Sequence, residues 1–275
     1  MKVLTAAQMR EADRKAIEAG VPGLILMENA AARVVEFLAE RYAPLNGQRI
    51  VVFCGKGNNG GDGLAIARQL WTRFAARVEV VLACEPGDYR GDAAANWRML
   101  ELSGCPVVKE WRRDASIVVD ALLGTGLDGA PRGRVADLIA AIREMDAARV
   151  VAVDIPSGLG FDGVRAEATV TFAAPKVEHY LSAETDRVGR LVVAPIGIPA
   201  RLLDGEPGHW LNVTEPRDFG ALLQPRSRDG HKGTYGHALI VGGAAGKSGA
   251  AAMAGLAALR AGAGLVTVAC DDSSR

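Results

Sequence analysis

At 275 residues, with 49% hydrophobic residues and a formal net charge of +0, the chain can bury one large core or two smaller ones. It has neither the basic surface of a nucleic-acid binder nor an acidic tail. No apolar run approaches the roughly 20 residues of a membrane span, and the segment from Met1 to Glu11 lacks the apolar core of a signal peptide. Cys54, Cys84, Cys105 and Cys270 fit no zinc or Cys-x-x-Cys spacing, so reduced thiols and a cytoplasmic location are expected.

Thr5 can cap a first helix running to about Ala19, broken by Gly20 to Gly23 with Pro22. A second helix is expected over roughly Leu24 to Tyr42, with Met27, Ala30, Ala31, Val34, Val35 and Leu38 on its buried face. Strands and helices then alternate. The apolar runs 50–54, 78–83, 116–120, 150–154, 169–173 and 191–194 read as strands, and 62–75, 88–103 and 134–145 as helices. Continuous apolar strands separated by helices predict a three-layer α/β/α sandwich around a mostly parallel, Rossmann-like sheet.

The alternation stops near Gly197-Ile198-Pro199, and residues 200–236 read as a connector. A new strand–glycine–helix–strand unit follows: 237–241, Gly242-Gly243-Ala244-Ala245-Gly246, 247–262 and 265–269. One βαβ unit cannot bury a core by itself, so this second domain is expected to be cut short. The expected division is 1–212 and 213–275.

The most informative stretch is Gly55-Lys56-Gly57-Asn58-Asn59-Gly60-Gly61-Asp62-Gly63, directly after the first strand. A glycine-rich turn into a helix lets backbone approach a ligand and offers free N–H groups to an anion. Gly55, Gly57 and Gly60 satisfy G-x-G-x-x-G, and Glu85 stands about where a dinucleotide fold has its ribose-binding acid. Two features argue against a dehydrogenase. Gly124-Thr125-Gly126-Leu127-Asp128-Gly129 repeats the spacing after another strand, and the carboxylate of Asp62 would repel a pyrophosphate. Gly246-Lys247-Ser248 resembles the end of a P-loop, but Val241 stands where that motif needs glycine.

Asp120 and Asp154 each close an apolar strand, and Asp154 leads into Ile155-Pro156-Ser157-Gly158. In a doubly wound sheet ligands bind outside these strand ends, so Asn59, Asp120, Asp154 and Ser157 should converge on one edge. Their oxygens suit a hard cation. Asp154 is also a candidate general acid/base, its pKa raised by a partly closed cleft. Lys176 could reach the cleft but reads better as structural or solvated, and His179 and His209 read as surface or packing residues.

In order along the chain, these segments resemble the NAD(P)H-hydrate epimerases, the YjeF N-terminal domain family. The matching pieces are Leu26-Met27-Glu28-Asn29-Ala30, the segment from Gly57 to Gly63, the segment from Val119 to Gly126, and Val153-Asp154-Ile155-Pro156-Ser157-Gly158. Thr171-Phe172-Ala173-Ala174-Pro175-Lys176 and Gly197-Ile198-Pro199 complete the pattern; Pro195 departs from it where an Asp is common.

The resemblance implies an isomerase of metabolite repair, acting on NADH or NADPH hydrated at C6 of the nicotinamide ring (NADHX, NADPHX). It implies substrate contacts from Asn58, Asn59, Gly60, Gly61, Asp62, Gly124, Thr125, Gly126, Leu127, Asp128, Gly129, Ala130 and Asp154. It further implies a potassium ion held by Asn59, Asp120 and Ser157, catalysis by Asp154, and a homodimer. The tail, from His231-Lys232-Gly233 through Leu239-Ile240-Val241-Gly242-Gly243 to the segment from Leu259 to Val268, resembles the start of a ribokinase-like NAD(P)H-hydrate dehydratase domain, a lyase often fused in this order. Dehydratase activity is not expected from so short a portion. The alternatives are an NAD(P)-dependent Rossmann dehydrogenase and a non-catalytic scaffold of the same fold, the second disfavoured because the Asn and Asp positions are all present.

Overall fold

The computed structural model describes residues 1–126, 129–145, 148–220 and 224–271, which form two compact units, Met1–Thr214 and Glu215–Arg275. The first unit opens with helices α1 (Ala6–Glu18) and α2 (Gly23–Arg41). It continues through β1 (Arg49–Cys54), α3 (Asn58–Arg73), β2 (Arg77–Leu82), α4 (Gly91–Ser103), β3 (Val107–Val108) and β4 (Ile117–Ala121). Then come α5 (Gly133–Arg143), β5 (Arg149–Val153), β6 (Ala168–Phe172), the single turn α6 (Glu178–Leu181), β7 (Arg190–Ala194) and the short α7 (Arg201–Asp204). The sheet has seven strands in the order β3-β2-β1-β4-β5-β6-β7, and every pairing is parallel.

Alternation along the strands divides the core into two layers. Ile50, Val52 and Cys54 of β1 join Val119, Val151, Val153 and the buried faces of α2 and α3 on one side. Val51 and Phe53 join Val118, Leu138, Ile139 and Ile142 on the other, where Trp111 meets Phe53 edge-on at 5.3 Å. Because both faces are covered, β1 and β4 carry uninterrupted apolar runs, which is what made them legible.

The chain order reverses between β1 and β4, so a crevice opens beyond their C-terminal ends. The Gly55–Gly57 loop borders it on one side and the segment following Ala121 on the other, tied by a Gly55 N–H donating to the Ala121 carbonyl at 2.9 Å. Two sequence expectations differ from this picture, and one strand was not expected. The helix after β1 starts at Asn58 rather than Asp62, because close packing, not helix propensity, holds its glycine-rich first turn. A Cβ on Gly60 would stand 1.7 Å from the Gly55 carbonyl oxygen, and one on Gly55 would stand 1.8 Å from that of Leu122. The helix expected from residue 88 starts at Gly91, Pro86–Asp88 making a short 3₁₀ turn instead. Finally, β3 is only two residues long, too short to leave a pattern.

The N-terminal segment is stitched to the sheet. Leu4 N–H donates to the Pro175 carbonyl at 2.9 Å, Val177 N–H returns to Leu4 at 3.0 Å, and Val3 N–H donates to Leu211 at 3.0 Å. Thr5 caps α1 with its side chain accepting from Gln8 N–H, and Met9 and Ala12 pack with Leu4 on Ala174 just beyond β6. The second unit is a parallel pair, β8 (His237–Val241) and β9 (Leu265–Ala269), connected through α8 (Gly249–Ala261). Among the described residues no helix is long and apolar enough to cross a membrane.

The packing at α3 is directly testable. Gly60→Ala should lower stability by roughly 3 kcal/mol or abolish folding, since its Cβ meets backbone. Gly57→Ala, whose Cβ points into open space, should change it by about 1 kcal/mol or less. Urea denaturation of the two variants checks the difference.

Candidate active site

A cavity of 480 Å³ occupies the crevice. Its floor comes from the ends of β1, β4, β5 and β6, and one wall comes from α1 and the start of α2. Of the residues expected to touch a ligand, Asn58, Asn59, Asp62, Gly124, Thr125, Gly126 and Asp154 line it. Gly60 and Gly61 do not; they are buried against the Gly55 carbonyl and Met27. Gly129 and Ala130 are exposed and lie outside the lining, and Leu127 and Asp128 lie outside the described residues. Glu85, the would-be ribose acid, is exposed in a turn and does not line the cavity either.

At the floor, Asp154 sits at φ +67°, a left-handed conformation that a non-glycine residue adopts only under constraint. The constraint is visible. Its N–H donates to the Val170 carbonyl at 2.8 Å, and His179 Nε2 reaches its carbonyl at 2.9 Å. The Lys176 N–H donates to His179 Nδ1 at 3.0 Å, so the imidazole carries its proton on Nε2 and donates to Asp154. Burial, reinforced by the Lys176 ammonium, pulls the His179 pKa down to about 4, which keeps this brace neutral.

The Asp154 carboxylate accepts from Lys176 Nζ at 2.5 Å and from the Thr171 hydroxyl at 2.9 Å. The Lys176 side chain is 1% exposed and that of Asp154 14%. Lys176 Nζ also donates to Thr171 Oγ1 at 2.8 Å and to the Phe172 carbonyl at 3.0 Å, which occupies all three of its N–H donors. Burial pushes the Asp154 carboxyl up, but the ammonium and the two hydrogen bonds outweigh it and hold the group below the usual carboxylate range. This corrects two expectations. The pKa of Asp154 is lowered rather than raised, because the cleft supplies a buried cation; and of the two readings of Lys176, structural or solvated, only the structural one holds, since it is buried at the site.

Two more carboxyls face this pair. Burial pushes Asp62 well above its ordinary value, with Asp154 and Asp13 adding to the effect. Asp13, from the α1 wall, rises to about 6 through burial, Lys176 opposing and Asp154 adding. The sequence offers little sign of Asp13: it stands in an ordinary amphipathic helix far from every glycine loop. At the mouth Arg10 donates to the Thr125 carbonyl at 3.4 Å, and Lys56 completes a cationic rim.

Behind the floor lies a separate oxygen cluster. Asp120 is fully buried and accepts from Ser157 N–H at 2.8 Å, from Ser157 Oγ at 2.6 Å and from Leu122 N–H at 3.3 Å. Burial lifts its carboxyl to about 6 against the pull of these bonds. Ser157 Oγ accepts from Leu123 N–H at 2.9 Å, while Asn59 Nδ2 donates to the Leu123 carbonyl at 2.9 Å. Asn59, Asp120 and Ser157 are thus tied to the same turn of backbone. The Asn59 Oδ1 is buried with no hydrogen-bond partner, an acceptor in want of a cation or donor. Among the described residues no three His, Cys, Asp or Glu side chains gather into a metal cluster, so any ion here would be held mainly by neutral oxygens.

The ion pair sets a stability test. Lys176→Met should cost roughly 3–5 kcal/mol at pH 7 by leaving Asp154 ionised and unpaired. Paired Asp154, with its lowered pKa, supplies stability above its unfolded pKa of about 3.9 and loses it as pH falls through the folded value. Without the lysine, burial alone raises the Asp154 carboxyl above its unfolded value, so it takes up a proton and the deficit of the Met variant should shrink as pH falls toward about 4. Adding Asp154→Asn should recover much of it at pH 7. Urea titrations across pH read both.

The family model for the YjeF-related protein N-terminus matches residues 23–178. The bifunctional NAD(P)H-hydrate repair enzyme Nnr of Moorella thermoacetica is 41% identical over 296 residues, covering 98% of this chain and 54% of that one. The NAD(P)H-hydrate epimerase of Rhodopirellula baltica is 39% identical over 216 residues, covering 73% of this chain and 86% of the relative. The crystal structure of yeast YNL200c shares the fold with TM-score 0.59 at 20% identity, over 68% of this chain and 86% of that one. The chain spans about half the length of the bifunctional relatives. With the match covering the sheet's switch point, both glycine loops and the Asp154–Lys176 pair, the chain belongs to the YjeF-related N-terminal family.

Proposed function

We propose that this chain is an NAD(P)H-hydrate epimerase, interconverting the R and S forms of NADHX and NADPHX at C6 of the nicotinamide ring. The observation that carries the reading is Asp154: ionised by a buried lysine, braced by a neutral histidine and facing a nucleotide-sized crevice at the switch point. Relatives named for this reaction support it, and their names favour neither a dehydrogenase nor a scaffold.

In this reading the dinucleotide lies across the first turn of α3. The N–H groups at that helix start, with Lys56 and Arg10, meet its phosphates, and burial holds Asp62 toward its neutral form, so it does not repel them as its ionised form would. Asn58, Asp62 and the Gly124–Gly126 segment contact the nucleotide, and the hydrated ring lies over Asp154. Inversion can open either the C6–O bond or the ring C–N bond; in this reading the C6–O bond opens and forms again on the other face. The Asp154 carboxylate serves as the base that takes a proton from the returning water, while Lys176 keeps it ionised between turnovers.

A potassium ion belongs to the proposal. The orphaned Asn59 Oδ1, the Leu123 carbonyl, Ser157 Oγ and Asp120 are oxygens of the right kind to hold it. When bound, the ion would supply positive charge that fixes the Asn59, Asp120 and Ser157 loops in their ligand-binding arrangement. We also assign the protein to the cytoplasm, in keeping with its free cysteines, and to a homodimer resting on half-exposed Ile17 and Ile25.

The decisive experiment follows pure (R)-NADPHX by HPLC as it converts to the S epimer. The chain should accelerate equilibration strongly, and Asp154→Asn should bind substrate yet lose about 10²–10⁴-fold in rate. No acceleration over the spontaneous rate by a folded sample would remove the epimerase reading. Potassium has its own readout: it should raise the melting temperature more than lithium does, and Asn59→Ala should abolish that difference.

A further inference from the structure

The site as built has a base but no evident acid. Departure of a hydroxyl from C6 needs a proton on its oxygen, and Asp154 is ionised. Lys176 has no proton to offer, since Asp154, Thr171 and Phe172 occupy its three N–H donors. His179 has its Nε2–H committed to the Asp154 carbonyl, and its Nδ1 accepts from Lys176.

The α1 wall supplies a candidate. Met9, Arg10, Asp13 and Ile17 line the cavity at spacings of three and four residues, one stripe of one helix. Three of them have visible structural contacts. Met9 packs with Leu4 and Ala174, Arg10 holds the Thr125 carbonyl, and Ile17 covers Gly23. Asp13 has none: among the described residues its carboxyl makes no hydrogen bond and no ion pair, although it is partly buried and feels both Lys176 and Asp154. Asp62 and Asp92 are the other unbonded carboxyls of the cavity among the described residues. Asp62 lies deeper, 8% exposed, with poorer access to the solvent that must restore its proton, and Asp92 stands on α4 beside Gly23 and is not among the charges felt at Asp154.

We propose that Asp13 is the second proton-transferring residue of this site, giving its proton to the departing C6 hydroxyl while Asp154 takes one from the water returning on the opposite face. The inference rests on the epimerase reading. As the C6–O bond breaks, the ring nitrogen lone pair forms a C=N bond to C6, and the Asp13 proton leaves with the oxygen as water. Water then adds to the other face of C6, the nitrogen regains its lone pair, and the released proton goes to Asp154. The reverse reaction uses the same groups with roles exchanged, and solvent restores the starting protonation. The two carboxyls arrive from different elements, α1 and the end of β5, as delivery to two faces of one ring requires.

The active form in either direction carries a single proton shared between Asp13 and Asp154. The charged groups lining the same cavity are Arg10 on α1, Lys56 and Asp62 around the start of α3, Asp92 on α4, and Asp154 with Lys176 at the strand ends. With Asp13 near pH 6, kcat/KM should fall about tenfold per pH unit above that value.

The test compares the full chain with Asp13→Asn and Asp13→Glu on (R)-NADPHX in potassium buffer. Asp13→Asn should keep its fold and a KM within about threefold of wild type, lose about 10²–10³-fold in kcat, and lose the alkaline limb. Asp13→Glu should restore a tenth or more of the rate and bring the limb back. Wild-type kcat and an unchanged pH profile in Asp13→Asn would overturn the proposal while leaving the epimerase reading intact; an inert wild type would overturn both. If Asp13→Asn does not fold, Asp13→Glu decides: a displaced alkaline limb supports the proposal, and a superimposable profile refutes it.

Discussion

A lysine ammonium that is 1% exposed must find a compensating charge and an acceptor for every proton, or it would not stay in the fold. Lys176 finds them in Asp154, Thr171 and the Phe172 carbonyl, and much local geometry follows from that need. The chain turns left-handed at Asp154 (φ +67°) and at Ala173 (φ +62°), bringing the ends of β5 and β6 around one ammonium. His179 ties the two turns together, and the bridge between Leu4 and Lys176 fixes where α1 begins. An interior ion pair is a weak source of stability but a strict constraint on arrangement. Here it places a carboxylate in a crevice, ionised, with one oxygen free of the lysine.

The second constraint is steric. Gly55 and Gly60 let the loop after β1 and the first turn of α3 lie against backbone, leaving no room for a Cβ at either position. That compression brings Asn59 beside Leu123 and through it to Ser157 and Asp120. Other residues of the family pattern act in the same way. The Glu28 carboxylate accepts from Arg68 and Gln69, tying α2 to α3, and Asn29 Nδ2 donates to the Ile196 carbonyl at 2.7 Å just before Gly197. A pattern that reads as a ligand motif is therefore partly a set of braces around the crevice.

This explains what the sequence could and could not disclose. The long strands are legible because both faces of the sheet are covered and each strand is an unbroken apolar run, and Asp120 and Asp154 are legible because they interrupt those runs at the end. The start of α3 was hidden by glycines whose low helix propensity is overridden by packing against Gly55, Met27 and Ala93. Lys176 and His179 meet Asp154 across 22 and 25 residues, at no recurring spacing, and only the turn after β6 brings them in. Asp13 is more remote still. It has the ordinary polarity of a helix surface and becomes unusual only because the stitching of residues 1–4 lays that surface over the crevice.

The charges of the crevice complete the physical picture. Asp13, Asp62 and Asp154 face one buried ammonium; burial first, and then the neighbouring carboxylates, push Asp13 and Asp62 toward protonation. In the reaction proposed here, loss of the protonated hydroxyl from C6 turns the neutral, hydrated (tetrahydro)nicotinamide ring into an iminium cation. That positive charge develops only in the transition state and intermediate, over a floor whose nearest ionised group is Asp154. Preorganised negative charge of this kind favours the transition state over the neutral substrate and needs no rearrangement when the bond opens. The same field lowers the affinity of Asp13 for its proton as the cation forms, which is the moment when the departing oxygen needs it. On this reading the surplus of carboxyls is not a flaw that Lys176 fails to neutralise. It is the complement of a charge that the substrate carries only in passing.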